Sequence, residues 1–172
     1  MSYQERRTVV SLITGIAIIA AYCIYAFGRY QAGLVAEGDL RFWAGAILTF
    51  IGIGIVAVII IQIVFHVLMS IAMGVKMGVQ MKIRDEQVDD RQIEKSIQME
   101  FVEDEMDRLI EMKSLWVGFA IAGIGFIAGL VALLLGSSAA VMLNIFFLSI
   151  AGGTVLEGVA QLYYYRRGLA NG

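Results

Sequence analysis

The sequence predicts an all-α polytopic integral membrane protein, with four transmembrane helices and a cytoplasmic helical extension between spans two and three. Four long apolar stretches, near residues 8–28, 42–74, 115–136 and 139–162, each supply the roughly 20 residues that cross a hydrocarbon core about 30 Å thick. The chain is 59% hydrophobic and 16% charged, far from the roughly 25% charged of an average soluble domain. A single charged stretch, 76–113, divides the apolar chain into two pairs of spans. Residues 1–172 therefore read as one membrane domain.

Span one follows Arg6 and Arg7, as a secretory signal would, but its apolar run is long and ends in Tyr25, Phe27, Arg29 and Tyr30 without a small-residue cleavage pattern. It reads as a retained helix. Its Cys23, the single cysteine of the chain, has no partner for an intrachain disulfide and reads as a small buried hydrophobe. Span two, near 42–64, continues as an apolar extension to about residue 74. A helix of that length measures about 50 Å, well beyond the hydrocarbon thickness. Its inner residues Phe65, Leu68, Met69, Ala72, Met73 and Val75 need cover, so a homodimer or hetero-oligomer is expected. The stretch 76–113 has no proline, and no glycine after Gly78. Its apolar residues Ile93, Ile97, Phe101, Val102, Met106, Leu109 and Ile110 recur at three and four, which predicts an amphipathic helix running into span three. The absence of proline throughout predicts straight spans.

Orientation follows from the basic residues. With the N-terminus cytoplasmic, all 13 lysines and arginines except Arg29 and Arg41 fall on the cytoplasmic side. The positive-inside rule then places both termini in the cytoplasm of a multi-pass plasma-membrane protein. Trp43, Trp116 and the run Tyr163, Tyr164 and Tyr165 fall at the expected membrane–water interfaces.

The charged stretch holds eleven acids against seven bases, a net charge of about −4. Such a surface attracts a basic partner and repels nucleic acid and anionic lipid. Within it, VEDEMDRLIEMKS at 102–114 resembles the acidic DExDRLIExKS-like segment found before the third span in an uncharacterised family of small four-span prokaryotic membrane proteins. The basic tail YYYRRG at 163–168 and the paired helical hairpins are similar too. The resemblance implies a membrane partner for a small helix-turn-helix regulator, with no catalytic residues to carry over.

In span three Gly118, Ala122, Gly125, Gly129, Ala132 and Gly136 form a stripe of small residues, a face on which helix backbones can approach closely. Shorter sets occur at Gly45, Thr49 and Gly52, and at Gly152, Gly153 and Gly158. Both internal packing and a dimer seam are compatible with these. Polar residues within the spans are few: Gln62 and His66 on span two, Asn144, Glu157 and Gln161 on span four. Gln62, His66, Glu157 and Gln161 all fall near the inner boundary and form a candidate polar site, in which His66 and Glu157 could pair with pH-sensitive charge. No zinc cluster, phosphate loop or nucleophile elbow occurs, and one histidine is too few for a two-ligand haem, so neither an enzyme nor a cofactor is expected. The expected function is a binding or regulatory module whose acidic helix, through Glu103, Asp104, Glu105 and Asp107, engages a basic protein. The alternative is a small oligomeric transporter or channel with a proton-linked His66 and Glu157 site.

Overall fold

A computed structural model describes residues 3–83 and 105–167. These residues form four helices, α1 (Tyr3–Gln31), α2 (Leu40–Ile83), α3 (Glu105–Leu134) and α4 (Ala139–Arg167), with short turns joining α1 to α2 and α3 to α4. All four are long and apolar enough to cross a membrane. The charged stretch is helical at both its described ends: 76–83 continues α2, and 105–113 opens α3. Its middle, including Glu103 and Asp104, lies outside the described residues.

Both short connections use the same chemistry. Each helix before them ends on a glycine with positive φ, Gly33 at 70° and Gly136 at 90°. At the first, the Gly33 N–H donates to the Tyr30 carbonyl and the Leu34 N–H to that of Arg29. At the second, Gly136 donates to Leu133 and Ser137 to Ala132. These paired bonds close the last helical turn and satisfy carbonyls that would otherwise be orphaned. The next helix is then capped by a side chain, Asp39 Oδ1 accepting from the Phe42 N–H at 3.1 Å and Ser138 Oγ from the Val141 N–H at 3.3 Å. Gly136 is thus no part of the packing stripe. The repeat of small residues continues one step past the end of the helix, where the backbone conformation makes glycine the favoured residue.

The rest of the stripe faces α4, and this is the most extensive contact in the fold. A Cβ at Gly153 would lie 2.8 Å from the Gly118 carbonyl oxygen, so the two backbones touch there. Gly125 leaves room for Ser149, and Gly129 for the ring of Phe146, which stacks on Phe126 at 5.1 Å. Gly118, Gly125 and Gly129 are buried, and Ala122 and Ala132 are half-buried. The stripe is therefore an internal seam between α3 and α4.

α1 runs antiparallel along another face of α4, with Leu12 against Gly158 and Gly15 against Val155. α2 packs on α1, where Gly54 receives Ile18, and meets α4 in an aromatic cluster near the two turns. Tyr22 is the centre of that cluster. It is fully buried, its ring touches Phe50 and Phe147, and its hydroxyl donates to Asn144 Oδ1 at 2.6 Å. The Asn144 amide in turn donates to the Ala140 carbonyl at 2.8 Å. Trp43 is folded into this cluster and is 3% exposed, whereas Trp116 on α3 is 76% exposed. The lateral order is α2, α1, α4, α3, and α2 has the least buried span of the four.

Neighbouring glycines on α4 provide a test of the seam. Gly153→Val places a side chain against the α3 backbone, and overpacking of this kind costs about 1–3 kcal/mol. Gly152 has no atom near its Cβ position, so Gly152→Ala is expected to be neutral or slightly stabilising. Thermal unfolding of the two variants in detergent checks the contrast.

Candidate functional site

At the end of the bundle opposite the two turns, all four helices contribute polar side chains to one pocket of about 220 Å³. α1, α3 and α4 do so at the spacing that puts residues on one face. α1 supplies Gln4, Arg7, Thr8 and Ser11; α2, Gln62; α3, Asp107 and Glu111; α4, Glu157, Gln161 and Tyr165. Three carboxylates, one guanidinium and several amides and hydroxyls therefore converge between helices that are otherwise apolar. A smaller pocket of about 80 Å³ continues between α1 and α4 as far as Gly15 and Thr154, sharing Thr8, Ser11, Glu157 and Gln161.

The α3–α4 seam creates room for this site. A Cβ at residue 118 would lie 2.8 Å from Glu157 Oε2, so the Glu157 carboxylate occupies space that only glycine leaves open. Across the pocket, the Thr8 hydroxyl lies between two acceptors, the Gln4 carbonyl at 2.9 Å and Gln161 Oε1 at 3.1 Å. With one proton it donates to one of them at a time. This contact joins α1 to α4 at the polar end, as Tyr22 and Asn144 do at the other. Ser114, fully buried on α3, turns its hydroxyl back to the carbonyls of Ile110 and Glu111, both at 2.9 Å.

Of the residues expected at a polar site, Gln62, Glu157 and Gln161 are brought together around this pocket. His66 lines a neighbouring pocket of about 400 Å³ with Tyr3, Gln4, Arg7 and Gln62, and its ring meets the Tyr3 ring edge-on at 6.3 Å. Gln62 borders both pockets. Among the acids expected to face a partner, Glu105 is exposed, while Asp107 is half-buried and belongs to the polar pocket. Gln4, Thr8 and Ser11 were not singled out from the sequence, and Tyr165 only as an interfacial aromatic. Their signal was the spacing of Gln4, Thr8 and Ser11 at 4 and 3 along the first helix, an amphipathic pattern within a short stretch before the apolar run.

Among the described residues, no group of three or more histidine, cysteine, aspartate or glutamate side chains is arranged to hold a metal ion. The carboxylates share the pocket with amides and hydroxyls, a lining suited to hydrogen bonding and to holding a proton or a cationic group. No family model, curated protein or solved structure matches this chain.

Water access distinguishes this pocket from the lipid-facing surface. In a Cys23→Ser background, Ser11→Cys is expected to react with a charged thiol reagent on the order of tenfold faster than Ile13→Cys, which projects from the other side of α1, since the thiolate needs a polar setting. Labelling rates in proteoliposomes provide the measurement.

Proposed function

We propose that this chain is a non-enzymatic docking module anchored in the plasma membrane, with both termini and the 76–113 segment in the cytoplasm. The observation that carries the reading is α2. At 44 residues it is about 66 Å long, roughly twice the hydrocarbon thickness, and Leu68, Ile71, Val75 and Val79 on its inner part are exposed. An apolar helical surface of this kind beside a net-acidic segment suits a basic protein with an apolar ridge. A small DNA-binding regulator held at the membrane by Glu103, Asp104, Glu105 and Asp107 fits that chemistry and the resemblance of residues 102–114.

Affinity purification from native membranes tests the proposal. A stoichiometric soluble partner is expected with the native chain, and is expected to be lost when Glu103, Asp104, Glu105 and Asp107 are changed to amides. The same oligomer without a partner in both samples overturns it.

The polar pocket supports a second reading, a small oligomeric transporter or channel with proton-linked flux through Glu157, with His66 in the neighbouring pocket that shares Gln62. The half-buried Glu157 carboxylate among Gln62, Gln161 and Thr8 favours it. Under this reading Glu157→Gln abolishes flux in liposomes; under the docking reading the same substitution leaves partner capture intact. In either case a homodimer has a face available on α2, where Gly45 and Gly52 have no atom within 4 Å of their Cβ positions and Thr49 is exposed. In a Cys23→Ser background, Gly52→Cys is expected to form an oxidative cross-link between two copies, read on a non-reducing gel.

A further inference from the structure

We propose that the polar pocket binds a primary ammonium group, with Glu157 as its counter-ion and Gln4 and Gln62 as hydrogen-bond acceptors. This ligand class deepens the transport reading and rests on its site. Binding is measured apart from flux, so that either can fail alone.

Three observations point to this ligand. The first is a buried amide without a partner. Gln4 is 8% exposed and borders both the polar pocket and the His66 pocket. Its backbone carbonyl accepts from Thr8, but among the described residues its side-chain amide has no hydrogen-bond partner. A buried polar group in that state bears an uncompensated desolvation cost. Nor is the amide sealed in. Among the described residues the one unpartnered side-chain atom closed off on all sides is Trp43 Nε1, so the Gln4 amide opens onto the space it lines. Gln62 lines the same two pockets from α2, and its amide has no partner among the described residues either.

The second observation is charge. The lining has three carboxylates, Asp107, Glu111 and Glu157, against the guanidinium of Arg7, a net of −2. Glu157 is half-buried and, among the described residues, neither hydrogen-bonded nor ion-paired. Water can fill the space but leaves this charge uncompensated, which is costly between helices in a membrane.

The third observation selects the kind of cation. Among the described residues no group of three or more metal-ligating side chains is arranged to hold a metal ion. The acceptors are spread instead over three helices, Gln4 on α1, Gln62 on α2 and Glu157 on α4. A primary ammonium has three N–H donors that diverge from one nitrogen, and so suits acceptors that converge from three sides. The volume of about 220 Å³ limits the rest of the ligand. At about 30 Å³ for each water molecule it has room for about seven, the size of a short-chain amine. Past Glu157 the smaller pocket has Leu12 and Val155 in its walls, an apolar surface for the carbon chain. A free alkylamine and the headgroup of phosphatidylethanolamine both present the required group.

Calorimetric titration of the purified chain, in amine-free detergent at constant ionic strength, tests the site. The probe is propylammonium chloride, and tetramethylammonium chloride serves as a cation of similar size without N–H donors. Propylammonium is expected to bind saturably, and tetramethylammonium at least about tenfold more weakly. Glu157→Gln, which keeps the shape of the side chain, is expected to weaken propylammonium at least about tenfold. Glu37→Gln, which removes an exposed carboxylate at the other end of the bundle, leaves the affinity unchanged. Gln4→Leu separates binding from structure. The ligand-free variant is expected to unfold at the same or a higher temperature, since an unpartnered amide has been removed, while its affinity for propylammonium falls. Heats that never saturate leave the pocket to water and a proton and overturn the proposal. Equal affinity for the two cations also overturns it, as does native affinity in both Glu157→Gln and Gln4→Leu. Repetition in nanodiscs identifies the source: weaker propylammonium binding in phosphatidylethanolamine than in phosphatidylcholine assigns the lipid headgroup, and equal binding assigns a soluble amine. Amine binding without flux in liposomes sinks the transport reading and leaves the site standing.

Discussion

The close approach of α3 and α4 is the constraint from which the rest of the bundle follows. Between helices in lipid the hydrophobic effect supplies little attraction, so contact depends on how near two backbones can come. Gly118 and Gly153 bring them into direct contact, and Gly125 and Gly129 accept Ser149 and Phe146 further along. With one face of α4 committed to α3, α1 takes another, through Gly158, Val155 and Asn144. α2 is left with α1 and the turn end of α4, which explains why it is the most exposed helix. The same glycine that permits the seam, Gly118, also makes the space in which the Glu157 carboxylate sits.

The two ends of the bundle are built differently. At the turn end, chain reversals are capped by glycine and by Asp39 or Ser138, and the interior is aromatic around Tyr22. At the other end α2, at 44 residues, runs well past the length that crosses a bilayer, and carboxylates, amides and hydroxyls gather between the helices.

The sequence made the four spans legible because hydropathy over 20 residues is a strong signal and lipid imposes it on every turn. It also showed that Gly118, Gly125 and Gly129 belong to an interface, since small residues at helical spacing have that effect whatever the partner. The partner itself was not legible, because it depends on complementary shapes at Ser149, Phe146 and Gly153, which form no repeat of their own with the stripe. Gly136 was assigned to the wrong role because a glycine that ends a helix and a glycine that packs one look alike at the same spacing. Gln62, Glu157 and Gln161 were visible as polar residues in apolar stretches. His66, one turn from Gln62, reaches a different pocket because α1 presents Tyr3 to it, a fact of helix placement rather than of spacing. Trp43 was legible as an interfacial residue, but its inward turn depends on rings contributed by α1 and α2 together.

The hydrogen bond between Tyr22 and Asn144 joins residues 122 positions apart, in the first and last helices. During synthesis α1 therefore leaves the ribosome long before its acceptor on α4 does. Until then the Tyr22 hydroxyl lacks this acceptor, whereas the Thr8 hydroxyl keeps the Gln4 carbonyl of its own helix. A chain that stops before α4 cannot supply Asn144. Completion of the protein is thus marked by the pairing of the Tyr22 hydroxyl, a bond that no chain lacking α4 can make.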